Sequence, residues 1–319
     1  MMESLDKIIQ VLKQSNNFLI TSHVNPDGDA IGSMSAMAFI LQTLGKKFCV
    51  YNESPIPDKF NWVKWPASVS HEYEPGKHEW MIVLDCGDLD RAGEKLAGNA
   101  SGRIINIDHH LGNPEFGDIN WIKTDASSVG EMVATIAEKL DIELSGPLAQ
   151  GIYLALVSDT GFFSYGNTSV HSLELTARLI NNGLVPGRIN PVILNQWTVG
   201  RLHLHGLAMQ QSSFHLDNRI GLVSVTKEML DKTGTTPDDC EGLVSAVRNV
   251  KSVDVAISVR EDEPGKIKFS LRSSGDINVQ SMARELGGGG HKNASGGIIY
   301  GSMDHATSQL LDVAMKQLS

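Results

Sequence analysis

The sequence predicts an α/β protein, with an N-terminal doubly wound, mainly parallel sheet and a smaller C-terminal α/β domain. Short apolar runs that are typical of buried strands alternate with helical segments in the N-terminal part of the chain. Three of these strands end at or just before acidic or histidine residues, and the sites of open α/β sheets lie at such strand ends. From Ser213 onward the pattern changes to shorter strands. We therefore predict a first domain over 1–186, a helical linker over 187–212 and a second domain over 213–319.

The elements of the first domain follow from the spacing of its apolar residues. Leu5, Ile8 and Leu12 fall on one face of a helix that we predict over 4–15. The segment 148–157 is apolar on all sides, which predicts a buried helix. The other predicted elements are strands over 17–21, 47–51, 80–84 and the apolar run that ends at Asp108, and helices over 30–44, 127–140 and 170–182.

Two prolines, Pro186 and Pro191, predict a break in regular structure after the first domain. Helical segments are predicted to follow this break, and then the short strands and helices of the second domain. The glycine-rich run 287–297 is predicted to be a loop. The predicted helices are 192–197, 202–211, 227–232, 241–249, 279–286 and 305–318, and the predicted strands are 214–216, 220–225, 253–259, 266–271 and 298–300.

Composition restricts the partners and the compartment. The formal net charge of the 319 residues is -10, which argues against binding of long duplex nucleic acid through a basic surface. The three cysteines are scattered, as expected for a reducing compartment without a disulfide framework. The amphipathic N-terminus does not resemble a signal peptide, and no apolar run reaches the roughly 18 residues of a membrane span. We therefore expect a cytoplasmic protein that does not bind membranes.

Six side chains at strand or helix ends are candidates for metal ligands. Their carboxylates and imidazoles suit two divalent cations, Mn²⁺ or else Mg²⁺, and the absence of thiolates argues against a structural zinc site. Asp85, at the end of the strand 80–84, is placed best to bridge two ions. An alternative is that Asp27 and Asp29 only cap a helix. The six candidates are His23, Asp27, Asp29, Asp85, His109 and Asp159.

A second candidate site lies near the C-terminus. Glycines allow the backbone to approach an anion closely, and Gly288, Gly289 and Gly290 are followed directly by His291. Arg272 lies at a predicted strand end. These residues favour a phosphate-recognition loop, and the alternative is a flexible surface turn.

Four motifs carry a resemblance to a known family. His-Val-Asn-Pro-Asp-Gly-Asp-Ala, Leu-Asp-Cys-Gly, Ile-Asp-His-His and Ser-Asp-Thr-Gly-Phe-Phe lie in this order within residues 23–163. Together they resemble the DHH phosphoesterase superfamily, and the Gly-Gly-Gly-His-Lys-Asn-Ala-Ser-Gly stretch resembles the accessory DHHA1 domain of one subgroup. The short chain is most similar to the bacterial nanoRNase and pAp-phosphatase type, whose members also carry names such as RecJ-like or exopolyphosphatase-related.

The resemblance implies a role for each motif residue. His23, Asp27 and Asp85 would hold one Mn²⁺, and the second ion would have Asp85 as a shared ligand. Asp108 would orient an imidazole, and His110 would contact the scissile phosphate. The ligands implied for the second ion are Asp29, Asp85, His109 and Asp159. The residues implied for the other phosphates of the substrate are Arg272, Gly288, Gly289, Gly290 and His291.

The resemblance implies a Mn²⁺-dependent phosphoesterase with a cleft between two domains. Its substrates would be very short RNA, cleaved to mononucleotides, or 3′-phosphoadenosine 5′-phosphate (pAp), cleaved to AMP and phosphate. The alternatives are hydrolysis of cyclic di-AMP or pApA, hydrolysis of pyrophosphate or polyphosphate, and a non-catalytic nucleotide sensor. The expected partners are short oligoribonucleotides or phosphorylated mono- and dinucleotides, and a homodimer is also considered.

Overall fold

The structure is a computed structural model that describes residues 3–318. The chain forms two compact units, with the division between Gln196 and Trp197. None of the helices within residues 3–318 combines the length and the apolar character that a bilayer-spanning segment needs.

The first unit is built on a six-stranded parallel sheet. Its strand order is β3-β2-β1-β4-β5-β6, so the order along the chain reverses between β1 and β4. This is the doubly wound arrangement, and its ligand sites lie at the carboxyl ends of the strands where the order reverses. The strands are β1 (Asn17–Thr21), β2 (Lys47–Tyr51), β3 (Val69–Ser70), β4 (Trp80–Leu84), β5 (Arg103–Asp108) and β6 (Ile119–Ile122).

Both faces of this sheet are buried, since alternate residues of its central strands, which point to opposite sides, belong to two different apolar clusters. Ile20 and Ile82 belong to the large core cluster, whereas Leu19 and Met81 belong to a smaller cluster on the other face. The helices are α1 (Ser4–Gln14), α2 (Gly28–Thr43), α3 (Glu94–Ala97), α4 (Val129–Lys139), α5 (Gly146–Asp159), α6 (Val170–Asn181) and α7 (Pro186–Leu194).

Helices α2 and α5 pack unusually closely. A Cβ atom on Gly32 would lie 2.3 Å from the carbonyl oxygen of Gly151, and one on Gly28 would lie 1.9 Å from Oγ of Ser158. The start of α2 therefore meets the end of α5, and the two helices run antiparallel. This contact brings the acidic residues at the first turn of α2 close to Asp159.

Two predictions for the first unit are wrong, and two of its strands were not predicted. The prolines do not break the chain: Pro186 occupies the first turn of α7, where its missing N–H would have no acceptor, and Pro191 lies inside the helix. The helix predicted over 192–197 ends at Leu194. Strands β3 and β6 were not predicted, because both are short and only partly buried and lack a continuous apolar run.

The second unit has a mixed six-stranded sheet with the order β11-β12-β10-β9-β8-β7. Only the β8–β9 pair is parallel among the described strand pairs of this sheet. The strands are β7 (Ser213–His215), β8 (Ile220–Val225), β9 (Val255–Glu263), β10 (Lys266–Ser273), β11 (Gly289–His291) and β12 (Ala294–Tyr300). The helices are α8 (Val199–Gln210), α9 (Lys227–Thr233), α10 (Leu243–Arg248), α11 (Val279–Glu285) and α12 (Met303–Leu318).

Each face of this second sheet has its own apolar cluster. Ile257 and Phe269 pack with residues of α11 and α12, whereas Val223 and Ala256 pack with residues of α8, α9 and α10. The predicted fold class, a doubly wound sheet followed by a smaller α/β domain, is thus confirmed.

The loop predicted for the glycine-rich run is largely strand. Gly289–His291 pairs antiparallel with the first residues of β12. A Cβ atom on Gly288 would lie 2.3 Å from the carbonyl oxygen of Gly296, and one on Gly297 would lie 2.8 Å from the ring of Phe269. These glycines allow close packing of the hairpin, which a sequence pattern alone does not indicate.

Candidate metal centre and active site

The first unit brings its candidate ligands to one edge of the parallel sheet. His23 follows β1, Asp85 follows β4, and Asp108 is the last residue of β5. Since these three strands are neighbours in the sheet and parallel, their carboxyl ends meet at the point where the strand order reverses.

The two aspartates that were weighed as helix caps have different environments. The Asp27 carboxylate caps α2, because it accepts hydrogen bonds from the N–H groups of Asp29 and Ala30 at 3.0 and 3.1 Å. Asp29 is buried and makes no such cap. Its carboxylate accepts from the N–H groups of Val129 and Gly130, at 2.7 and 3.1 Å, in the first turn of α4. The positive end of that helix stabilises the negative charge of Asp29.

Three groups of side chains could each hold a metal ion. Within each group the ligand atoms lie within 4.8 Å of one another. Asp85 and His109 each occur in two groups, so the groups form one continuous cluster. The groups are His23, Asp27 and Asp85; Asp29, His109 and Asp159; and Asp85, His109 and His110.

Asp85 lies at the centre of this cluster. Its Oδ2 is 3.7 Å from Nε2 of His23, and its Oδ1 is 3.7 Å from Nε2 of His109. The side chain is buried, and Oδ1 has no hydrogen-bond partner among the described residues. Its backbone φ of 53° is a left-handed conformation that is uncommon outside glycine and that often marks functional sites.

Burial raises the pKa of Asp85 well above its usual value, and the nearby carboxylates of Asp27, Asp108 and Asp159 raise it further. The pKa of Asp29 is also raised well above its usual value, by burial and by the charge of Asp85. Crowded, buried carboxylates of this kind are stabilised when a cation lies between them. The donor set therefore fits a divalent metal.

The orientation of the two histidines supports the same fit. Nδ1 of His23 lies 2.8 Å from the carbonyl oxygen of Val24, and Nδ1 of His109 lies 3.1 Å from that of Ala126. A carbonyl oxygen can only accept this hydrogen bond, so Nδ1 carries the hydrogen, and in the neutral ring Nε2 has a free lone pair. Both Nε2 atoms face carboxylates, as in metal sites where a backbone carbonyl fixes the ligand tautomer.

Asp108, which belongs to none of the three groups, pairs with His110 at one side of the cluster. Nδ1 of His110 lies 2.8 Å from Oδ1 of Asp108, and Asn113 donates to Oδ2 of Asp108 at 2.7 Å. The hydrogen bond to Asp108 raises the pKa of His110 despite partial burial. Burial raises the pKa of Asp108, but the bonds from His110 and Asn113 outweigh it, so the net shift is downward. Asp108 thus orients His110 rather than His109.

Asp159 reaches the cluster from the end of α5. Its Oδ2 lies 3.5 Å from Nε2 of His109. Asn167 donates to the backbone carbonyl of Asp159 at 3.1 Å and so holds the chain after the helix. Phe162 and Phe163 follow with positive φ angles of 54° and 64°, so the chain turns sharply beyond the ligand.

Arg91 is a basic residue of this site that sequence reasoning did not single out. Its Nη1 lies 3.7 Å from the position that a Cβ atom on Gly87 would take, and Cβ of His110 lies 3.5 Å from the same position. The charge of Arg91 partly opposes the net upward shifts in the pKa of His110 and of Asp85. No carboxylate within the described residues pairs with this guanidinium at 4.0 Å or less.

The backbone holds Arg91 in place. Arg91 belongs to a short 3₁₀ helix, Leu89–Ala92. The side chain of Asp88 caps this helix, because it accepts a hydrogen bond from the N–H of Asp90. The carbonyl of Arg91 accepts a hydrogen bond from Val24, next to His23, at 2.7 Å.

The second-unit candidates have these positions. Arg272 lies half-buried on β10, and its Nη1 donates to its neighbour's carbonyl, that of Leu271, at 3.0 Å. Burial lowers the pKa of Arg272, and the charge of Arg248 lowers it further. Gly289, Gly290 and His291 lie exposed on the edge strand β11.

The backbone N–H of Gly288 was expected to be available to an anion, but it is already hydrogen-bonded. It donates to the carbonyl of Ala283 at 2.7 Å, at the end of α11. An anion near this hairpin would therefore be contacted by other groups. Arg272 and His291 are the two candidates among them.

Similar proteins cover nearly the whole chain. A protein of Thermus thermophilus, named bifunctional oligoribonuclease and PAP phosphatase NrnA, is 28% identical over 322 residues, covering 99% of this chain and 95% of that protein. A Bacillus subtilis protein of the same name is 29% identical over 321 residues, covering 96% of each.

Solved structures show the same fold. An exopolyphosphatase-related protein from Bacteroides fragilis superimposes with a TM-score of 0.88 at 29% identity, covering 98% of this chain and 96% of that one. The Mn²⁺ complex of RecJ from Thermus thermophilus has a TM-score of 0.54 at 12% identity, covering 99% of this chain and 55% of that one. At that identity the likeness to RecJ concerns the fold alone.

The parallel sheet carries carboxylates and histidines where its strand order reverses. Together with these matches, this arrangement defines a hydrolase of the phosphoesterase class. The family description "DHH family, N-terminal domain" matches residues 17–156, and "DHHA1 domain" matches residues 221–318. The chain therefore carries a DHH-family domain followed by a DHHA1 domain. The resemblance drawn from the four motifs is confirmed.

Proposed function

We propose that this chain is a Mn²⁺-dependent phosphoesterase that hydrolyses very short RNA to mononucleotides and pAp to AMP and phosphate. The names of the Thermus thermophilus and Bacillus subtilis relatives support these two substrates. The observation that carries the metal dependence is the position of the buried Asp85 carboxylate, whose two oxygens face two different histidines.

The proposed ligands would form two sets, one for each ion, and Asp85 would belong to both. His23 and Asp27 complete one set, and Asp29, His109 and Asp159 complete the other. Each set mixes imidazole nitrogen with carboxylate oxygen, a donor mixture that suits Mn²⁺ better than Mg²⁺, which prefers oxygen.

The residues of the chain have distinct tasks in the proposed reaction. When bound, two such cations supply Lewis-acid activation of the phosphate and of water. Asp108 holds the ring of His110, and a protonated His110 donates a hydrogen bond to an oxygen of the scissile phosphate. Arg91 neutralises part of the phosphate charge beside His110. Its guanidinium is free to do so because no carboxylate of the described chain pairs with it.

Arg272 and His291 are proposed to bind another phosphate of the substrate, together with the exposed backbone of Gly289 and Gly290. The formal net charge of -10 is consistent with a short substrate, because few phosphates need to be neutralised.

A substrate panel tests this proposal. The metal-free protein, supplied with Mn²⁺ or Mg²⁺, is incubated with pAp, a five-nucleotide RNA, pApA, cyclic di-AMP and pyrophosphate. We expect mononucleotides from the RNA and AMP from pAp, no turnover in EDTA, and loss of turnover in Asp85→Ala with the circular dichroism spectrum unchanged. Full activity of Asp85→Ala, or hydrolysis of pyrophosphate alone, would refute the proposal.

A further inference from the structure

A cavity of about 260 Å³ adjoins the candidate metal ligands in the first unit. Asp27 and Asp159 form part of its wall, and Lys59, Phe60 and Ile193 form much of the rest. A phosphate held by the ligand cluster would therefore have this cavity directly beside it, and the group bonded to that phosphate would have room there.

The walls of the cavity combine one cation with apolar surface. Lys59 is exposed, and its Nζ lies 5.2 Å from the centroid of the Phe60 ring. It is the one basic side chain among the described residues that line the cavity, and it forms no ion pair within them. Nucleotides match such a mixture, since they join an anionic phosphate to an apolar-faced base and a sugar.

Packing among the helices α2, α5 and α7 positions part of the cavity wall. Gly28 and Ser158 line it where α2 and α5 touch, and the absent side chain of Gly28 is what allows that contact. Ile193 is positioned by α7, which is attached to α5 through a 2.8 Å hydrogen bond from Oη of Tyr153 to Asn190. Gly28, Ser158 and Ile193 therefore lie on packed helices, whereas Lys59 and Phe60 lie on a three-residue 3₁₀ helix, Asp58–Phe60.

The volume limits what the cavity can take. Ligand pockets of proteins span roughly 300–1,000 Å³, so 260 Å³ lies just below that range. A space of this size suits a single small group rather than an oligonucleotide.

We propose that this cavity is the subsite for the nucleoside bonded to the scissile phosphate, with Lys59 contacting a phosphate oxygen at its mouth and Phe60 and Ile193 contacting the nucleoside. The inference rests on the proposed phosphoesterase function. It adds that specificity for nucleotides over inorganic phosphate compounds arises in the first unit, beside the ligand cluster.

Filling the cavity tests the proposal. Ile193→Trp and the smaller Ile193→Phe place a ring in the space, and Leu194→Trp is the matched control, because Leu194 is the exposed neighbour on the same helix. Lys59→Met removes the cation, and Lys47→Met is its control, at the exposed amino end of β2. The readouts are calorimetric binding of AMP and of inorganic phosphate in Mn²⁺, the Mn²⁺ affinity, and KM for pAp.

The two variants are expected to differ in a defined way. Ile193→Trp weakens AMP binding and raises KM for pAp by about tenfold or more, whereas its affinity for inorganic phosphate and for Mn²⁺ stays within about twofold. Lys59→Met weakens the binding of both AMP and inorganic phosphate. The two controls behave as the unchanged protein.

Unchanged AMP binding in both Ile193 variants would overturn the subsite, and so would an equal loss of AMP and inorganic phosphate binding. The binding measurements need no turnover. If the unchanged protein binds AMP in a manner sensitive to Ile193 but hydrolyses no nucleotide, the proposed function fails and the subsite stands.

Discussion

At the scale of single residues, Asp85 is a buried carboxylate with few groups to compensate its charge. It is 2% exposed, one of its oxygens has no hydrogen-bond partner among the described residues, and three other carboxylates raise its pKa. A buried charge of this kind destabilises the fold unless a cation compensates it. Function and stability therefore compete at this position.

Asp85→Asn is expected to stabilise the metal-free protein, because it removes a buried negative charge and keeps the shape of the side chain. The free energy of unfolding should rise by about 1–2 kcal/mol, which raises Tm by a few degrees. Thermal melting in EDTA measures this change, with Asp90→Asn as an exposed control.

Adding Mn²⁺ should make the unchanged protein more stable than Asp85→Asn. The unchanged protein gains stability from binding, by about 2.7 kcal/mol at a metal concentration of 100 Kd, and Asp85→Asn gains much less. A variant that melts below the unchanged protein in EDTA would show that Asp85 is not electrostatically strained.

Arg91 gives a second prediction at this scale. Arg91→Gln is expected to lower kcat for pAp by about 10- to 100-fold, because a preorganised cation beside the phosphate is lost. Mn²⁺ affinity should be unchanged or slightly higher, since a positive charge has left the cluster. Steady-state kinetics and metal titration measure the two effects, with the exposed Arg188→Gln as control. An unchanged kcat would exclude Arg91 from the reaction.

At the scale of elements, the contact between α2 and α5 decides where the ligands lie. The two backbones touch at Gly32 and Gly151, and the first turn of α2 meets the last turn of α5. Asp27 and Asp29 enter the cluster from one helix and Asp159 from the other. The spacing of the site therefore depends on residues that carry no side chain.

Gly32→Ala is expected to destabilise the fold by about 2–4 kcal/mol, because its Cβ would lie 2.3 Å from a backbone oxygen. Mn²⁺ affinity should fall with it as the ligands separate. Gly206→Ala is the matched control: Gly206 lies inside α8 with open space around it, and this change should raise stability by up to about 1 kcal/mol. Chemical denaturation and metal titration test both variants, and equal effects would contradict the packing argument.

The glycine-rich hairpin shows how one pattern supports two explanations. The sequence favoured a phosphate-recognition loop, because glycines permit close approach of the backbone. In the fold the close approach of Gly288 and Gly297 is to Gly296 and Phe269 of the same unit. The proposed phosphate contact consequently depends on the charged neighbours Arg272 and His291 more than on the glycines.

At the scale of the whole molecule, the two units have separate hydrophobic cores. The core residues of the first unit lie in two clusters, and those of the second unit lie in two others. Every side chain of the proposed metal site belongs to the first unit. Metal binding should therefore stabilise the first unit directly.

Hydrogen exchange with and without Mn²⁺ tests this expectation. Amide protection should increase around 21–31, 83–92, 106–113 and 157–163, which are the segments that carry the proposed ligands and their neighbours. The sheet of the second unit should exchange at unchanged rates when no nucleotide is present. Increased protection over 255–273 with Mn²⁺ alone would contradict this independence.

Much of the site could be predicted because its residues interrupt regular patterns. Polar residues such as Asp85 and Asp108 close apolar strands, and a chain that ends buried strands with carboxylates indicates a site rather than a core. Arg91 and Lys59 could not be predicted in this way. Exposed cations are common, and only their distance from the cluster distinguishes them.

The sequence by itself determined the fold class, the central strands and the six candidate ligands, because strand and helix periodicity and strand-end polarity are local properties of the chain. The tertiary structure alone decided the helical path through Pro191, the pairing of the glycine hairpin, the orientation of His110 by Asp108, and the cavity at Lys59. The path of α7 and the cavity depend on packing between segments that are distant in the chain, whereas the hairpin and the Asp108–His110 hydrogen bond are local contacts. None of these contacts leaves a periodic pattern in the sequence.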